Sequence, residues 1–396
     1  MFLPENVKFI INTLNEHGFE AYAVGGCVRD GILGFVAKDF DITTSAKPEE
    51  VKSLFESTYD TGIKHGTITV RLGKETFEVT TYRIDEGYKD FRHPDKVLFT
   101  QNLAEDLKRR DFTMNAIAYH EKTGFIDLYS GIDDIKNKII RGVGDPDLRF
   151  KEDALRMLRC IRFSAQLGFD IEKETEKAVL ENISLIKNVS IERIREELFK
   201  IFSSKYLERL NLLFSMGFTK NIFPEMNMYT DSEIKTVADE LKSANGDELL
   251  NLAIFLQFCD DCVFSILKKL KLDSKTLKTL TKIFELRDFE VNNDRFEIKK
   301  FINQNGKDVA LYFLYLKSLK NNKKDIEIYN HAKEIVSSSE PLFIKDLKIT
   351  GKDLLQMGFE KGENIGIILN NLLTEVLKNP ENNNTEYLIS ISQKYK

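Results

Sequence analysis

The sequence is poor in cysteine and lacks long apolar runs. Its four cysteines are too few for a disulfide framework in 396 residues. No window approaches the ~18 uninterrupted apolar residues of a membrane-spanning helix, and residues 1–14 lack the charged start, apolar stretch and cleavage site of a signal peptide. These absences exclude a disulfide-stabilised module, predict no membrane partner and indicate a cytoplasmic location.

A structural zinc site is also poorly supported. Cys259 and Cys262 form a C-x-x-C pair, but no second pair follows, and the five histidines are scattered. Cys27 and Cys160 stand alone. Residues 251–270 have the pattern of one amphipathic helix, on which positions three apart share a face. We therefore predict buried or half-buried thiols rather than a metal or redox centre.

The chain has no excess of positive charge. Lys and Arg number 58 against 63 Asp and Glu, a net charge of −5, so a nucleic acid would have to be held by local basic patches. Residues 264–282 contain six lysines and one aspartate, and residues 317–324 contain four lysines. These segments either follow a phosphate backbone or form solvated helix faces. Motifs of the RNP and KH kinds are absent, which predicts recognition of RNA by shape.

Two kinds of pattern divide the chain. Hydrophobic residues make up 42% and charged residues 31%, the balance of a globular protein, and the length suggests two to three folding units at ~150 residues each. Residues 39–44, 66–72 and 76–83 alternate polar and apolar side chains, and residues 48–57 have helical spacing. From about residue 153 nearly every segment is helical in pattern. We predict an α/β head built on one sheet with a crossover helix, followed by helices.

A glycine pair marks a candidate phosphate site. The apolar run of residues 20–26 ends in Gly25 and Gly26, and Arg29 follows one helical turn later. Where a strand turns into a helix, residues without side chains let phosphates approach exposed N–H groups, and an arginine adds charge-assisted hydrogen bonds. The same glycines are compatible with a simple turn. The segment matches neither a Walker loop nor a dinucleotide-binding motif.

Acidic side chains follow the glycine pair. On a strand, Asp39 and Asp41 point the same way while the residues between and beyond them face the core. Neighbouring carboxylates repel one another unless a cation neutralises them, and Mg²⁺ binds carboxylate and phosphate oxygens. Glu78 lies on the polar face of another predicted strand and would join them if the two strands pair. A charged strand edge that discourages aggregation is the alternative, but the upstream glycine turn favours a metal site.

The order of these motifs resembles one family. The chain is similar to the class II tRNA nucleotidyltransferases, which are the bacterial and eukaryotic CCA-adding enzymes with their poly(A) polymerase relatives. The matching segments are GGCVRDGILG (25–34), KDFDIT (38–43), HGTITV (65–70), FEVTTYR (77–83), RRDFTMNA (109–116) and EDALRMLRCIRF (152–163). The similarity continues more diffusely to residues 349–373, where Glu363 stands in place of the family's proline.

The resemblance implies an architecture. It implies a polymerase-beta-type nucleotidyltransferase head with a mixed sheet, followed by an all-helical remainder. The expected regions are a catalytic head at 1–140, a neck with the base-reading helix at 141–203, a body at 204–295 and a tRNA-binding tail at 296–396.

A periodic set of charged residues lies in the expected neck. Asp153, Arg156, Arg159 and Arg162 recur at every third position of a helix predicted to begin near Lys151. Such residues form a slowly winding ridge along the helix. They either form a ladder of salt bridges or, since the arginines outnumber the acids, leave guanidinium groups facing an anionic or hydrogen-bonding ligand.

An aspartate beside an arginine can read the edge of a base. Cytosine and adenine present a ring-nitrogen acceptor beside an amine donor, whereas uracil and guanine invert both positions. Asp153 and Arg156 would therefore admit C and A, with discrimination of roughly 1 to 3 kcal/mol for each good pair. The family's base-reading motif falls on the same two residues, and the resemblance assigns nucleotide contacts to Arg159 and Arg162.

The resemblance also implies the reaction, which is Mg²⁺-dependent transfer of CMP and AMP from CTP and ATP to the 3′ end of the tRNA acceptor arm, with release of pyrophosphate. The implied roles are metal binding for Asp39 and Asp41, a third catalytic acid in Glu78, a phosphate contact from Arg110 and ribose contacts from Asp111 and Asn115. The polar segment 84–99 is predicted to be a mobile loop. In the family such a loop is needed for the final A, which argues against a CC-only enzyme but not against an A-only one.

Two rival functions stay open at this point. A poly(A) polymerase shares the head, but the basic insertion expected between residues 83 and 109 is not visible. A non-catalytic RNA-binding scaffold would be expected to have lost one acid of the DFD motif, and both are present.

Overall fold

The computed structural model of the protein describes residues 1–37, 39–87, 96–226, 228–244, 246–320 and 322–395. The chain divides into two compact units, Met1–Gly246 and Asp247–Lys396. No helix in the described ranges is long and apolar enough to cross a membrane.

The strands among the described residues lie in the first unit. They are β1 Ala21–Val24, β2 Asp41–Thr44, β3 Thr58–Gly62, β4 Thr67–Leu72, β5 Glu75–Thr81, β6 Arg83–Glu86, β7 Lys96–Phe99, β8 Ile117–His120, β9 Gly124–Asp127, β10 Ile139–Ile140 and β11 Asp170–Ile171.

The helices of the first unit are α1 Glu5–Glu16, α2 Gly26–Ile32, α3 Pro48–Leu54, α4 Leu103–Lys108, α5 Gly131–Asn137, α6 Pro146–Glu152, α7 Leu155–Leu167, α8 Lys173–Asn182, α9 Ile191–Phe202, α10 Asn211–Ser215, α11 Phe218–Ile222 and α12 Asp231–Leu241. Those of the second are α13 Glu248–Phe255, α14 Val263–Lys269, α15 Ser274–Glu285, α16 Arg295–Asn305, α17 Lys307–Ser318, α18 Lys323–Ser337, α19 Gly351–Gln356, α20 Glu363–Lys378 and α21 Thr385–Ser392.

One mixed sheet forms the centre of the head. Its seven strands have the order β3-β4-β5-β2-β1-β8-β9, in which β2 and β5 are parallel and the other neighbours antiparallel. The parallel pair requires a crossover, which α3, β3 and β4 provide. Ile42 and Val79, adjacent on β2 and β5, are fully buried. The predicted α/β head with a mixed sheet and a crossover helix is confirmed.

Helices follow the head, as predicted. The exception among the described residues of this part is β11, a two-residue strand that pairs in parallel with β10. In the second unit, α16, α17, α18 and α20 enclose a core that includes Ile298, Phe301 and Leu372. The division into four regions at 140, 203 and 295 stays a prediction.

Two local expectations differ from the structure. Residues 251–270 are not one helix, because α13 ends at Phe255 and α14 begins at Val263; the consecutive Asp260 and Asp261 between them are poor helix formers. Cys259 is buried and Cys262 half-buried, as expected for structural thiols.

The segment 84–99 is only partly the loop that was predicted. Its ends are β6 and β7, which form a two-stranded antiparallel ladder from Arg83 paired with Phe99 to Glu86 paired with Lys96. The part of the prediction that concerns residues 88–95 lies outside the described residues.

Candidate active site

The phosphate end of the site lies where β1 meets α2. We use this name for Gly25, Gly26, Arg29, Asp39, Asp41, Glu78 and Arg110. Gly25 has φ +82°, which favours glycine. A Cβ added there would lie 3.2 Å from the Nη1 atom of Arg110 and 3.7 Å from an Asp41 carboxylate oxygen. The missing side chain therefore lets this arginine and this acid approach the same turn.

Two acids of the phosphate end face each other across β2 and β5. Asp41 and Glu78 are partners in the parallel register, and both are exposed. The strand β2 begins at Asp41, so Asp39 precedes the strand rather than lying within it as predicted. The three carboxylates still interact, because the charge of Asp39 acts on both Asp41 and Glu78.

The electrostatics of these acids favour a bound cation. Desolvation raises the pKa of Asp41, and Asp39 adds to the rise while Arg110 opposes it. Desolvation likewise raises the pKa of Glu78, with further contributions from Asp41 and Asp39. None of the three acids forms an ion pair within the described part of the chain. They are hard oxygen donors with an uncompensated charge, which fits a divalent cation such as Mg²⁺.

The donor set of the protein is small. Within the described ranges, no group of three His, Cys, Asp or Glu side chains is arranged to hold a metal ion. A cation held by Asp39 and Asp41 would have to take its remaining ligands from phosphates and water, as Mg²⁺ usually does.

Arg29 begins a chain of hydrogen bonds that leads from the phosphate end to α7. Its guanidinium group donates to Asp30 at 2.7 and 2.9 Å and to the side-chain oxygen of Asn115 at 2.9 Å. Asn115 in turn donates to Asp111 at 3.1 Å, and Asp111 accepts two bonds from Arg159 at 2.6 and 2.8 Å. A continuous hydrogen-bonded chain thus connects residues that sequence analysis proposed for separate roles.

Asp111 is charged and firmly held in this chain. Burial alone would raise the pKa of Asp111, but Arg159 and the hydrogen bond from Asn115 outweigh that effect and hold the pKa below its ordinary value. Asp111 is only 8% exposed, so a ribose hydroxyl would have to approach a carboxylate that already has protein partners.

The base-reading end, for which we use Asp153, Arg156, Arg159 and Arg162, is not one continuous helical ridge. The helix α6 ends at Glu152, and Asp153 has extended backbone angles before α7 begins at Leu155. The Asp153 carboxylate accepts a bond at 3.1 Å from the N–H of Leu155, the first residue of α7. The prediction that all four residues share a helix beginning near Lys151 is wrong for Asp153.

The side chains of Asp153 and Arg156 do not bond to each other. Asp153 accepts bonds from Arg193 on α9 at 2.8 and 3.3 Å. Arg156 donates to the Glu152 carboxylate at 2.8 Å and to the backbone oxygens of Arg109 at 2.9 Å and Arg149 at 3.2 Å.

The expectation of unpaired guanidinium groups is also wrong for this end. Arg156 pairs with Glu152, Arg159 with Asp111, and Arg162 with Glu197 at 2.6 Å. Glu152 is on α6, Glu197 is on α9 and Asp111 lies between α4 and β8, so a count of charges along one helix could not show them.

One aromatic ring supports three of the arginines. The guanidinium carbons of Arg29, Arg159 and Arg162 lie 5.1, 5.4 and 4.1 Å from the ring centre of Phe163. Phe163 is buried on α7, and such cation–π contacts hold guanidinium groups without neutralising them. Sequence reasoning missed this residue because one more apolar position in an amphipathic helix carries no distinguishing signal.

Sequence reasoning also missed the acids and the arginine that hold this end in place. Arg193 and Glu197 lie four residues apart on α9, a spacing that puts both on one helix face. That spacing was the available signal, but it is equally common on solvated helices.

Taken together, the geometry defines a class of protein. An α/β head with a mixed sheet presents exposed acids beside a glycine turn and an arginine, and the helix α7 carries three half-buried arginines that are held in ion pairs. This is the arrangement of a nucleotidyltransferase.

Comparisons with known proteins place the chain within that class. Residues 21–141 match the model of the poly(A) polymerase head domain. Residues 168–229 match the model described as "Probable RNA and SrmB- binding site of polymerase A", and residues 245–391 match that of tRNA nucleotidyltransferase domain 2. A CCA-adding enzyme of Ligilactobacillus salivarius (strain UCC118) is 36% identical over 97% of this chain and 95% of its own length. The chain belongs to the CCA-adding enzyme family of tRNA nucleotidyltransferases.

Two further proteins show the extent of the similarity. A CCA-adding enzyme of Lactobacillus helveticus (strain DPC 4571) is 56% identical over 192 residues, which are 48% of each chain. The crystal structure of the Bacillus stearothermophilus CCA-adding enzyme in complex with CTP is similar over 100% of this chain and 99% of its own, with 30% identity and a TM-score of 0.80.

Proposed function

We propose that this protein adds C, C and A to the 3′ end of tRNA, taking CMP and AMP from CTP and ATP and releasing pyrophosphate. The observation that carries the proposal is the parallel register of Asp41 and Glu78 beside the Gly25 turn. The full-length similarity to CCA-adding enzymes supports the choice of tRNA as the acceptor. The cytoplasm is the expected location, since tRNA precursors and nucleoside triphosphates are available there.

In this proposal the phosphate end binds the triphosphate. Arg110 faces the Gly25 turn, and its buried Nε has no hydrogen-bond partner among the described residues. An unsatisfied buried N–H is costly, so it supports a bound anion. Gly25 and Gly26 give the phosphates access to the backbone, and Arg29 holds the adjoining surface through Asn115.

Asp39 and Asp41 would hold Mg²⁺. When bound, this ion supplies neutralisation of the triphosphate and a lower pKa for the 3′-hydroxyl of the tRNA. Glu78 faces the same space, and its raised pKa suits a group that receives a proton from the attacking hydroxyl.

Asp153 and Arg156 would read the base. Arg156 has five N–H donors, and its three acceptors among the described residues leave donors available for a ring nitrogen. Asp153 keeps acceptor capacity for an exocyclic amine beside the bonds from Arg193 and Leu155. Because their partners fix both side chains, the pair would select C or A without a template.

Arg159 and Arg162 would support the bound nucleotide, and Asp111 and Asn115 its ribose. Both arginines lie over Phe163 and are held in ion pairs. Because these contacts already hold the two arginines in place, less entropy is lost when the nucleotide binds.

The lysine-rich helices of the second unit would bind the tRNA backbone. Five of the six lysines in residues 264–282 are exposed, namely Lys268, Lys269, Lys271, Lys275 and Lys278. Contacts to phosphates alone give shape-dependent binding that weakens steeply with salt.

One assay tests the proposed function. The purified protein is incubated with Mg²⁺, labelled CTP or ATP, and tRNAs that end before the first C, before the A, or with the complete CCA. We expect extension that stops at C-C-A. A long A tract would instead indicate a poly(A) polymerase, extension of only the second tRNA an A-only enzyme, and no product a scaffold.

A further inference from the structure

A buried carboxylate lies behind the phosphate end. Asp106, in the last turns of α4, has no exposed surface. Burial opposes its ionisation, but Arg109 and Arg110 outweigh burial and hold the pKa of Asp106 below its ordinary value. Its two oxygens accept bonds from three different side chains, two of which belong to elements that carry the proposed site.

The first of these side chains is Arg110. Its Nη2 donates to the Oδ2 atom of Asp106 at 3.3 Å, and no other described residue hydrogen-bonds to this guanidinium group. The Nη1 atom meanwhile faces Gly25. Asp106 thus binds the Nη2 atom of Arg110, and the Nη1 atom stays directed at the Gly25 turn.

The second is Thr43. Its hydroxyl donates to the same Oδ2 atom at 3.1 Å. Thr43 is on β2, two residues after Asp41, so this bond connects the buried carboxylate to the strand that carries the proposed metal ligand. One oxygen atom therefore fixes the position of Arg110 relative to β2.

The third is Arg109, which donates to Oδ1 at 2.7 and 3.0 Å. The backbone oxygen of Arg109 accepts a bond from Arg156 at 2.9 Å. The residue that faces Asp106 with its side chain therefore also contacts the base-reading end with its backbone.

We propose that Asp106 is a positioning residue for the nucleotide triphosphate. Its carboxylate places Arg110 between the Gly25 turn and the acids of β2, and this placement sets the affinity for the phosphates that CTP and ATP share. The inference rests on the proposed function, because it assigns the phosphates to Arg110.

A purely structural role is the competing explanation, since any buried acid that pairs with an arginine stabilises a fold. The head contains a matched control in Asp134 on α5. Asp134 is 5% exposed, accepts a bond from the Thr113 hydroxyl at 2.7 Å and accepts from Arg141 at 3.1 and 3.3 Å. It has the same kinds of partners as Asp106 but does not contact the phosphate end.

The test compares Asp106→Asn with Asp134→Asn in the full chain. Binding of inorganic triphosphate is measured by calorimetry, and KM and kcat are measured for CTP and for ATP. A charge-assisted bond that is lost or misdirected corresponds to an affinity change of about tenfold or more. We expect Asp106→Asn to weaken triphosphate binding about tenfold and to raise both KM values by the same factor, and Asp134→Asn to change neither by more than about twofold.

The outcomes separate the explanations. If folded Asp106→Asn binds triphosphate as the wild type does, or if both variants weaken binding equally, the positioning role is rejected. If the wild-type protein does not bind triphosphate, the proposed phosphate site itself fails. If Asp106→Asn does not fold, Thr43→Val provides a second test, because it keeps the carboxylate and both arginines. We expect Thr43→Val to bind triphosphate about threefold more weakly. Unchanged binding would overturn the inference.

Discussion

The acids of the phosphate end and those of the base-reading end lie in opposite electrostatic surroundings. At the phosphate end, Asp41 and Glu78 are exposed and unpaired among the described residues, and each has a raised pKa. At the base-reading end, Asp153 accepts two bonds from Arg193, and Arg159 donates two bonds to the buried Asp111. One end carries excess negative charge, and the other is balanced by the protein itself.

This difference matches the two proposed tasks, which are binding of a cation at the phosphate end and discrimination of bases at the base-reading end. An uncompensated acidic cluster is completed by a cation that arrives from outside, at some cost to stability while the cluster is empty. A surface that distinguishes bases must hold its donors and acceptors in fixed positions before the ligand binds, because movement would allow the wrong edge to be accommodated. We expect variants at the first end to affect rate and those at the second to affect stability and choice.

The largest effect is expected from Asp41→Ala. Removal of a metal-binding carboxylate forfeits several kcal/mol of charge stabilisation in the transition state, and at 1.36 kcal/mol per tenfold this corresponds to a loss of ~1,000-fold or more in nucleotide incorporation. Binding of tRNA should change little, which filter binding would measure. Asp60→Ala, on the exposed edge strand β3, is the control; turnover retained by Asp41→Ala would contradict the metal assignment.

Asp111→Asn should cost the most stability. Breaking a buried ion pair destabilises by roughly 3 to 5 kcal/mol, whereas Asp170→Asn removes an exposed pair with Arg209, worth about 0 to 1 kcal/mol. Urea unfolding at pH 7 measures both. If the two variants lost the same free energy of unfolding, the buried pair of Asp111 and Arg159 would contribute no more to stability than the exposed pair.

The same pair gives a pH dependence with a definite sign. The pKa of Asp111 is lower in the folded than in the unfolded protein, so its contribution to stability is present above the ordinary Asp range of ~3.9 and is lost as the pH falls below it. The difference between the wild type and Asp111→Asn should therefore shrink in unfolding experiments below about pH 4.

A moderate effect is expected from Arg193→Met. Asp153 would lose its arginine partner and its fixed orientation, and discrimination worth roughly 1 to 3 kcal/mol per base contact would be partly lost. We expect UTP or GTP incorporation to rise about tenfold relative to CTP and ATP in competition assays. The control is Arg209→Met, which removes an exposed pair. Unchanged choice among the four nucleotides would count against base reading by Asp153.

The smallest effect on stability is expected from Glu78→Gln. Its folded pKa is raised, so the charged carboxylate destabilises the cation-free protein above its ordinary pKa, and this penalty develops as the pH rises through the folded value. After solvent screening, the variant should be more stable by a few tenths of a kcal/mol at pH 8 without Mg²⁺, and equal to the wild type at pH 4. Thermal unfolding at the two pH values measures this; a less stable variant at pH 8 would contradict repulsion among the acids.

Much of the phosphate end could be predicted from the sequence, because its determinants are local. Strands with one buried face alternate polar and apolar residues, so β2, β4 and β5 were visible, as was the polar face that carries Glu78. The strands β6 and β7 were missed because, among the described residues, they pair with each other and not with the central sheet. Their polar composition is that of a loop.

The base-reading end depends on contacts that local patterns do not encode. The three-residue spacing of the charges continues through the break at Asp153, so periodicity did not reveal where α6 ends. Asp153 and Arg193 are 40 residues apart and Arg159 and Asp111 are 48 apart in the chain. Pairings at such separations follow from the packing of α7 against α9 and the head, which the sequence of either partner does not specify.

The parallel register of β2 and β5 also has a consequence for how the protein becomes active during folding. The two strands are separated by α3, β3 and β4, so Asp41 and Glu78 meet only after a long chain segment has closed on itself, a slow step compared with hairpin formation. A one-residue slip of β5 would turn Glu78 inward and Phe77 outward. A nascent chain whose β5 has not docked, or has docked in the wrong register, lacks the paired acids, and with the proposed roles of these acids we expect it to have no nucleotide-transfer activity.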